Sequence, residues 1–436
     1  MSNIKDLPYE VSNFETLRKK NLYYVDKTPF LKELEDAGRY LFLIRPNGFG
    51  KSLFTSMMQC YYDIHCGDRR FKQLFRDTWI SDHPTRERGQ YLVLSLDFSR
   101  LVSPLRDVKV LFTHYLRKKV LQFIDKYRDY LSTNKKLGYY SLRIKRSPHA
   151  SYILSHLFHL VQGANQPLYL IIDEYDNFTN YLYPVLSENS FRNLIRGSSF
   201  FQAFFGVLKT ATLNPDSPLK RLFITGSSPI TMEDLTGGET IGIRVSLSPA
   251  FNQSHGFTQQ EVSDLIEYYR SLDLIRNSPD TLLNLLIDWY GNYLFTQNGS
   301  IRMVHPSMVL EFFNDYMQTQ RIPPYLFDRK VRAITEVPLH LTVINGGKSR
   351  AANGSVEQIE EVMETEEVVC NIEDGFSIDK ITDRENFISL LFYLGLLTIK
   401  NVEGSDMSLM IPNENAKRFF FDYLNEFNAL RETLKP

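Results

Sequence analysis

The sequence predicts an α/β fold, a mostly parallel sheet flanked by helices, and three observations carry that prediction. Five short runs, at 40–44, 91–97, 168–172, 222–225 and 243–247, are rich in apolar residues, as strands buried on both faces must be. Helical segments separate most of them, and parallel strands need such crossovers. The first run ends in Gly-Lys-Ser and the third in two carboxylates. In sheets of this kind the ligand sits at the carboxyl ends of the strands.

Taken in order, Tyr23-Tyr-Val25 reads as a short strand. Asp26 or Thr28 then caps a helix that runs through Glu35, with Pro29 in its first turn. Tyr40 to Ile44 is the first buried strand. Arg45-Pro-Asn-Gly-Phe-Gly-Lys-Ser52 follows, and a helix runs from Ser52 to Tyr62. Gly48 and Gly50 permit a tight turn and close approach to an anion. The helix N-terminus adds N–H groups and a positive dipole end. Lys51 can reach β/γ-phosphate oxygens and Ser52 can ligate Mg²⁺, which is how a phosphate-binding loop works. Against the pattern G-x-x-x-x-G-K-[ST], Arg45 stands where the first glycine belongs. The bland alternative is a strand-to-helix turn with a surface lysine.

The second strand, 91–97, ends at Asp97, read as a cap for the next turn. Residues 106–146 hold twelve basic and three acidic residues, a net +9, with five tyrosines among them. Basic residues interleaved with aromatics can bind phosphate backbone and stack on bases; the alternative is a solvated amphipathic helix. Leu168-Tyr-Leu-Ile-Ile-Asp-Glu174 is the acidic strand. Its first carboxylate, Asp173, suits Mg²⁺ and its second, Glu174, can take a proton from attacking water. It lies about 120 residues after the loop. A helix is expected from Phe191 to Leu208, closed by Lys209. Arg192 and Arg196 share one of its faces, either as arginine fingers or as surface residues. Leu222-Phe-Ile-Thr-Gly-Ser227 is a fourth strand. If it lies beside the loop strand, Thr225 can hydrogen-bond the γ-phosphate or its water; otherwise Thr225 is a turn residue before Gly226. The fifth strand is expected within 241–247.

Tyr23-Tyr-Val-Asp-Lys-Thr28, Arg45-Pro-Asn-Gly-Phe-Gly-Lys-Ser52, Ile171-Ile-Asp-Glu-Tyr-Asp176 and Ile224-Thr-Gly-Ser-Ser-Pro-Ile-Thr231 together resemble the AAA-ATPase-like family over about residues 7–300. The resemblance implies a P-loop NTPase that binds ATP with Mg²⁺. Arg45, Pro46, Asn47, Gly48, Phe49, Gly50, Lys51 and Ser52 would form the nucleotide loop, and Ser52 and Asp173 would hold the metal. Lys51, Glu174 and Thr225 would be catalytic. Asp26-Lys27-Thr28 would pack near the base, the alternative being a plain helix cap. Relatives usually read Arg-Pro-Arg-Arg-Phe-Gly-Lys at the loop. Here Asn47 and Gly48 replace two arginines, which removes two positive charges. Many relatives carry a C-terminal restriction-endonuclease-like domain. No acidic strand followed by Glu-x-Lys occurs in this tail, so that domain is expected to be absent.

The expected organisation is an ATPase-like domain at 1–250 and a helical lid at 251–345. An acidic flexible segment at 346–376 and a winged-helix-like module at 377–436 follow. Thr258 and Glu261 form a capping box at the lid's start. Trp289-Tyr-Gly-Asn-Tyr-Leu-Phe295 resembles a family segment, and His305 reads as a turn or core histidine. Gly346-Gly-Lys-Ser349 imitates a second loop but has no acidic-strand partner. Six glutamates between 357 and 367 form an acidic stretch, read as a solvated helix face able to shield a basic surface of the same protein. The tail reads helix, strand, turn, strand, helix, with the hairpin at 396–411.

Net charge is −1, so no global field draws the chain to nucleic acid or membrane. Cys60, Cys66 and Cys370 form neither a disulfide framework nor a C-x-x-C pair. The N-terminus lacks an apolar signal region, and the longest apolar stretch, 387–399, is too short to span a bilayer. The expectation is a soluble cytoplasmic ATPase acting on a protein partner or as a homo-oligomer, with nucleic acid as a further partner class. Two alternatives stay open: a nucleotide-gated scaffold with little turnover, and a nucleic-acid-associated ATPase using the basic 106–146 region.

Overall fold

The computed structural model describes residues 4–101, 108–177, 200–230, 241–327, 350–403 and 406–433. β1 (Tyr40–Ile44), β2 (Leu92–Asp97), β3 (Leu168–Asp173), β4 (Leu219–Gly226) and β5 (Ile243–Arg244) form one sheet. Their order is β2-β3-β4-β1-β5, and every neighbouring pair is parallel. β4 thus lies between the loop strand and the acidic strand, with Leu43 opposite Thr225 and Ile172 opposite Ile224.

Strand side chains alternate between faces, and both faces are covered. Leu41, Leu43, Val93, Ile171 and Phe223 pack with Phe54, Met57 and Met58 of helix Lys51–Tyr62. Phe42, Ile44, Leu94, Leu170 and Ile224 pack on the other side with helices Val108–Lys126, Ala150–Gly163 and Phe200–Leu213. This two-sided burial is why the strands read as nearly continuous apolar runs.

β5 is shorter than expected. Only Ile243 and Arg244 pair with β1, and Val245 adds one N–H···O bond to Phe42 before the chain turns. The helix expected to end at Lys209 continues to Leu213, because Phe201, Phe204, Phe205, Leu208 and Ala211 maintain a buried stripe past that lysine. Arg192, Arg196 and the Gly346–Ser349 loop lie outside the described residues.

β6 (Phe257–Thr258) and β7 (Met303–Val304) pair antiparallel beside helices Gln259–Arg270, Pro279–Tyr290 and Pro306–Thr319. The capping box is present: Glu261 N–H donates to Thr258 Oγ1 at 3.1 Å, and Thr258 N–H to Glu261 Oε2 at 2.7 Å.

β8 (Glu367–Val369), β9 (Thr398–Glu403) and β10 (Asp406–Met410) form an antiparallel sheet in order β8-β10-β9, with helices Arg350–Thr365, Arg384–Tyr393 and Glu414–Thr433. The expected boundary at 376 falls inside this unit, since β8 pairs with β10. The acidic stretch is helical to Thr365, in line with its reading as a helix face, and three of its six glutamates are ion-paired within the protein. Glu361 pairs with Arg384, Glu366 with Lys417 at 2.9 Å, and Glu367 with Lys400. Among the described residues no helix is long and apolar enough to cross a membrane.

Candidate functional site

The carboxyl ends of β1, β4 and β3 abut, so their terminal residues meet. Backbone bonds tie them together: Arg45 N–H donates to Gly226 O, and Tyr175 N–H to Thr225 O, each at 3.1 Å. β1 leads into the glycine turn and directly into helix Lys51–Tyr62, whose N-cap is Gly50 at φ +94°. That left-handed backbone favours glycine. Gly48, at φ +78°, is constrained twice. A Cβ there would stand 2.4 Å from His305 Cε1 and 3.1 Å from Ser307 Oγ.

Lys51 is 3% exposed. Its Nζ donates to the carbonyls of Arg45 at 3.1 Å and Pro46 at 3.3 Å, and lies 3.3 Å from Glu174 Oε1. Glu174 follows β3 in the left-handed region at φ +53°, unusual for a side-chain-bearing residue. Asp173 ends β3. Its Oδ2 accepts from Thr55 Oγ1 at 3.3 Å, the nearby Ser52 favours its charged form, and its buried Oδ1 has no partner among the described residues. Burial, and then the Glu174 charge, push the Asp173 carboxyl up to about 6. Thr225, next to last in β4, is fully buried, its hydroxyl likewise without a partner among the described residues. The structure therefore brings Lys51, Ser52, Asp173, Glu174 and Thr225 together.

Arg45 is different. Its buried guanidinium donates to the carbonyls of Ile44, Ser246 and Phe251 and lies 4.4 Å over the Phe295 ring. Burial lowers its pKa to about 9. Only its backbone carbonyl faces Lys51, so the side chain braces the loop from behind instead of reaching forward to an anion. The Phe49 side chain is also buried, with edge-on contacts to Tyr293, Phe295 and His305. The Trp289–Phe295 stretch thus contributes the floor under the loop.

A cavity of about 410 Å³ opens here, within the range of small-molecule sites. It is walled by 8–12, 23–25, 47–54 and 254–257, and by Lys27, Glu174, Pro306 and Leu310. Of the three residues expected near a base, only Lys27 lines it, held by Glu261 at 2.8 Å. Asp26 accepts from the backbone of Thr28 and Trp79, and Thr28 Oγ1 accepts from Ile80 N–H. Those two residues tie their segment to the helix start at Trp79 and Ile80, more than 50 residues on, and neither side chain caps helix Pro29–Ala37, so the expected cap is not formed.

Four further polar residues, to which the sequence assigned no functional role, stand around the loop and cavity. His305 Nε2 bonds the Asn47 carbonyl at 2.9 Å, and Ser307 Oγ donates to the Gly48 carbonyl at 2.8 Å. Asp176 is buried, accepts from Ser227 N–H and Oγ, and is pushed upward first by burial and then by Glu174. His255 lines the cavity with a buried, unpartnered Nε2. The N-cap pattern His305-Pro-Ser was a signal for a helix start but not for what that start touches. Asp97 does what was expected, accepting from Ser99 N–H at 2.9 Å.

A protein of Azotobacter chroococcum mcd 1, described as an uncharacterized protein in the vnfD 5' region, is 24% identical over 441 residues. The match spans 99% of this chain and 71% of that protein. The model of a family described as predicted AAA-ATPase matches residues 8–236, more than half of the chain, and contains the loop, the acidic strand and Thr225. The chain belongs to this predicted AAA-ATPase family.

Proposed function

We propose that the chain binds ATP with Mg²⁺ in this cavity and hydrolyses it, coupling the event to movement of a macromolecular partner. One observation carries the reading. Lys51, Ser52, Asp173, Glu174 and Thr225 converge at the ends of three adjacent parallel strands, around a left-handed glycine turn at a helix N-terminus. Residues 48–52 would hold the triphosphate, with Lys51 neutralising charge on its oxygens. Ser52 and Asp173 would hold Mg²⁺. They are the hard oxygen donors that ion takes, and the buried Oδ1 of Asp173 is free to serve. The ion would offset charge on the β- and γ-oxygens.

Glu174 rests on Lys51. A phosphate that engages Lys51 frees that carboxylate to take a proton from water as the water oxygen attacks the γ-phosphorus and ADP leaves with the bond's electrons. The Thr225 hydroxyl would orient that water. The helices around 259–319 would close over the nucleotide as a lid, and the unit at 350–433 would act as a winged-helix-like joint. The test is nucleotide binding and single-turnover hydrolysis with Mg²⁺ on wild type, Lys51→Ala and Glu174→Gln. Lys51→Ala should abolish binding, and Glu174→Gln should bind without turnover. Binding without turnover in wild type would instead favour a nucleotide-gated scaffold. Unchanged hydrolysis in Lys51→Ala would sink the assignment.

A second reading adds a nucleic-acid surface, favoured by one face. Helix Leu137–Arg146 exposes Lys136, Tyr139, Leu142, Arg143, Lys145 and Arg146, and neighbouring Tyr152 is 57% exposed. No acidic residue occurs between Asp129 and Asp173. Cations beside exposed rings suit a single strand. Affinity that is undetectable, or indifferent to salt, would reject it.

A further inference from the structure

Resting on the reading of this cavity as a nucleotide site, we propose that His255 is the hydrogen-bond acceptor for a donor group of the nucleoside, either a ribose hydroxyl or the exocyclic amine of the base. The Ser254 hydroxyl has one proton, donated to the Phe251 carbonyl at 2.7 Å. The same oxygen lies 2.8 Å from His255 Nδ1. With its proton committed, Ser254 Oγ can only accept there, so His255 Nδ1 carries the ring proton. Nε2 then presents a bare lone pair.

The surroundings keep it bare. His255 is 2% exposed, one ring face lies against Phe54 at 4.7 Å, and Nε2 has no partner among the described residues. Burial, together with the nearby charges of Arg45, Lys51 and Lys27, holds the imidazole well below its usual range and therefore neutral. A second ring proton would add another positive charge to that group, so His255 is unsuited to clamp phosphate as a cation.

Chemistry then selects the ligand group. A buried acceptor without a donor is unfavourable until one arrives. Phosphate oxygens in the ionised chain are acceptors and would oppose the lone pair. What ATP can donate is confined to its ribose hydroxyls and the amine of its base. Ser254 and His255 thus form an orienting pair. Ser254, anchored on Phe251, fixes the tautomer, and His255 keeps an unpartnered acceptor within the cavity wall. This assigns to 254–255 a nucleoside-reading role separate from the phosphate work of residues 48–52.

The test compares binding of ATP, 2'-deoxy-ATP, 3'-deoxy-ATP and purine riboside triphosphate, each with Mg²⁺, to wild type, His255→Phe and His255→Gln. Wild type should bind one of the three analogues about ten-fold more weakly than ATP. A deoxy analogue identifies the ribose, and purine riboside triphosphate identifies the amine. His255→Phe should weaken ATP by about the same factor yet leave that analogue unchanged, and His255→Gln, which keeps an acceptor, should recover part of the loss. The Nε2 resonance of ¹⁵N-labelled wild type should move on adding ATP but not that analogue. Should His255→Phe fail to fold, the wild-type series and the resonance decide the matter. Equal binding of all four nucleotides by wild type would overturn the proposal, as would an equal weakening of all four in His255→Phe. In either case Lys51-dependent ATP binding would survive, which separates this failure from failure of the nucleotide reading. If wild type binds no nucleotide, both fall.

Discussion

Asp173→Asn should make the metal-free, nucleotide-free protein more stable while removing its affinity for Mg²⁺-nucleotide. In the fold the carboxyl titrates at about 6, against an ordinary value of 3.8, because burial and then Glu174 disfavour its charged form. The fold therefore holds this proton more tightly than the unfolded chain does. The resulting stability is present in full below the unfolded value and is lost as pH rises toward 6. Beyond that it stays lost. A shift of roughly two units corresponds to about 3 kcal/mol. Asparagine is neutral throughout and escapes the loss. With a chelator present, chemical denaturation of both proteins at pH 4 and pH 7.5 should show the variant's advantage growing by about 2–3 kcal/mol between the two. The difference between proteins isolates Asp173 from Asp176, which burial shifts in the same direction. An advantage equal at both pH values would refute the reasoning, and so would a variant less stable at pH 7.5. Gain of stability with loss of binding is the pattern of a group placed for function.

Thr225→Val replaces a fully buried, unpartnered hydroxyl with a methyl. Denaturation should show stability unchanged or higher by up to about 1 kcal/mol. ATP affinity should hold while single-turnover hydrolysis falls, and unchanged hydrolysis would remove Thr225 from the mechanism. Arg45→Met should cost about 3 kcal/mol or more, because three backbone carbonyls lose their buried donor, and a neutral result in a denaturation curve would contradict the cage. Gly48→Ala should weaken both ATP binding and thermal stability, since its Cβ would meet His305 at 2.4 Å. Adding His305→Ala should return part of the loss, and simple additivity of the two defects would argue against a steric cause.

How far the sequence could be read depended on whether a residue's partners were close in the chain or uniform in kind. β1 to β4 were legible because both sheet faces are covered, so nearly every strand position is apolar. Lys51, Ser52, Asp173 and Glu174 were legible because a turn before a helix and an acid after a strand are local patterns. Arg45 looked like a phosphate ligand from its position in the loop. Its partners, Ser246 and Phe251, lie about 200 residues on, and no local pattern announces a cage of carbonyls. His255 is a single histidine in an unpatterned stretch and His305 a helix cap with no local sign of what it touches; only the fold brings them to the loop. The acidic stretch read as a solvated helix face because its partners, Arg384, Lys400 and Lys417, come later in the chain. Charge alone does not distinguish a solvated run from an ion-paired helix.

The grip of His305 and Ser307 on the carbonyls of Asn47 and Gly48 has a thermodynamic corollary. The turn at 47–48 does not set its own shape; its carbonyls are aimed by the first turn of a helix more than 250 residues away in sequence. Two states of that helix, seated and lifted, would present a triphosphate with two different turns. Linkage is reciprocal, so a ligand that prefers one turn pulls the helix toward the matching seat. A load on the helix must equally alter the ligand's affinity. The contact is three hydrogen bonds wide, since Ser307 N–H also donates to the Gly48 carbonyl at 3.3 Å, and through it a nucleotide preference and a load on the helix would be exchanged.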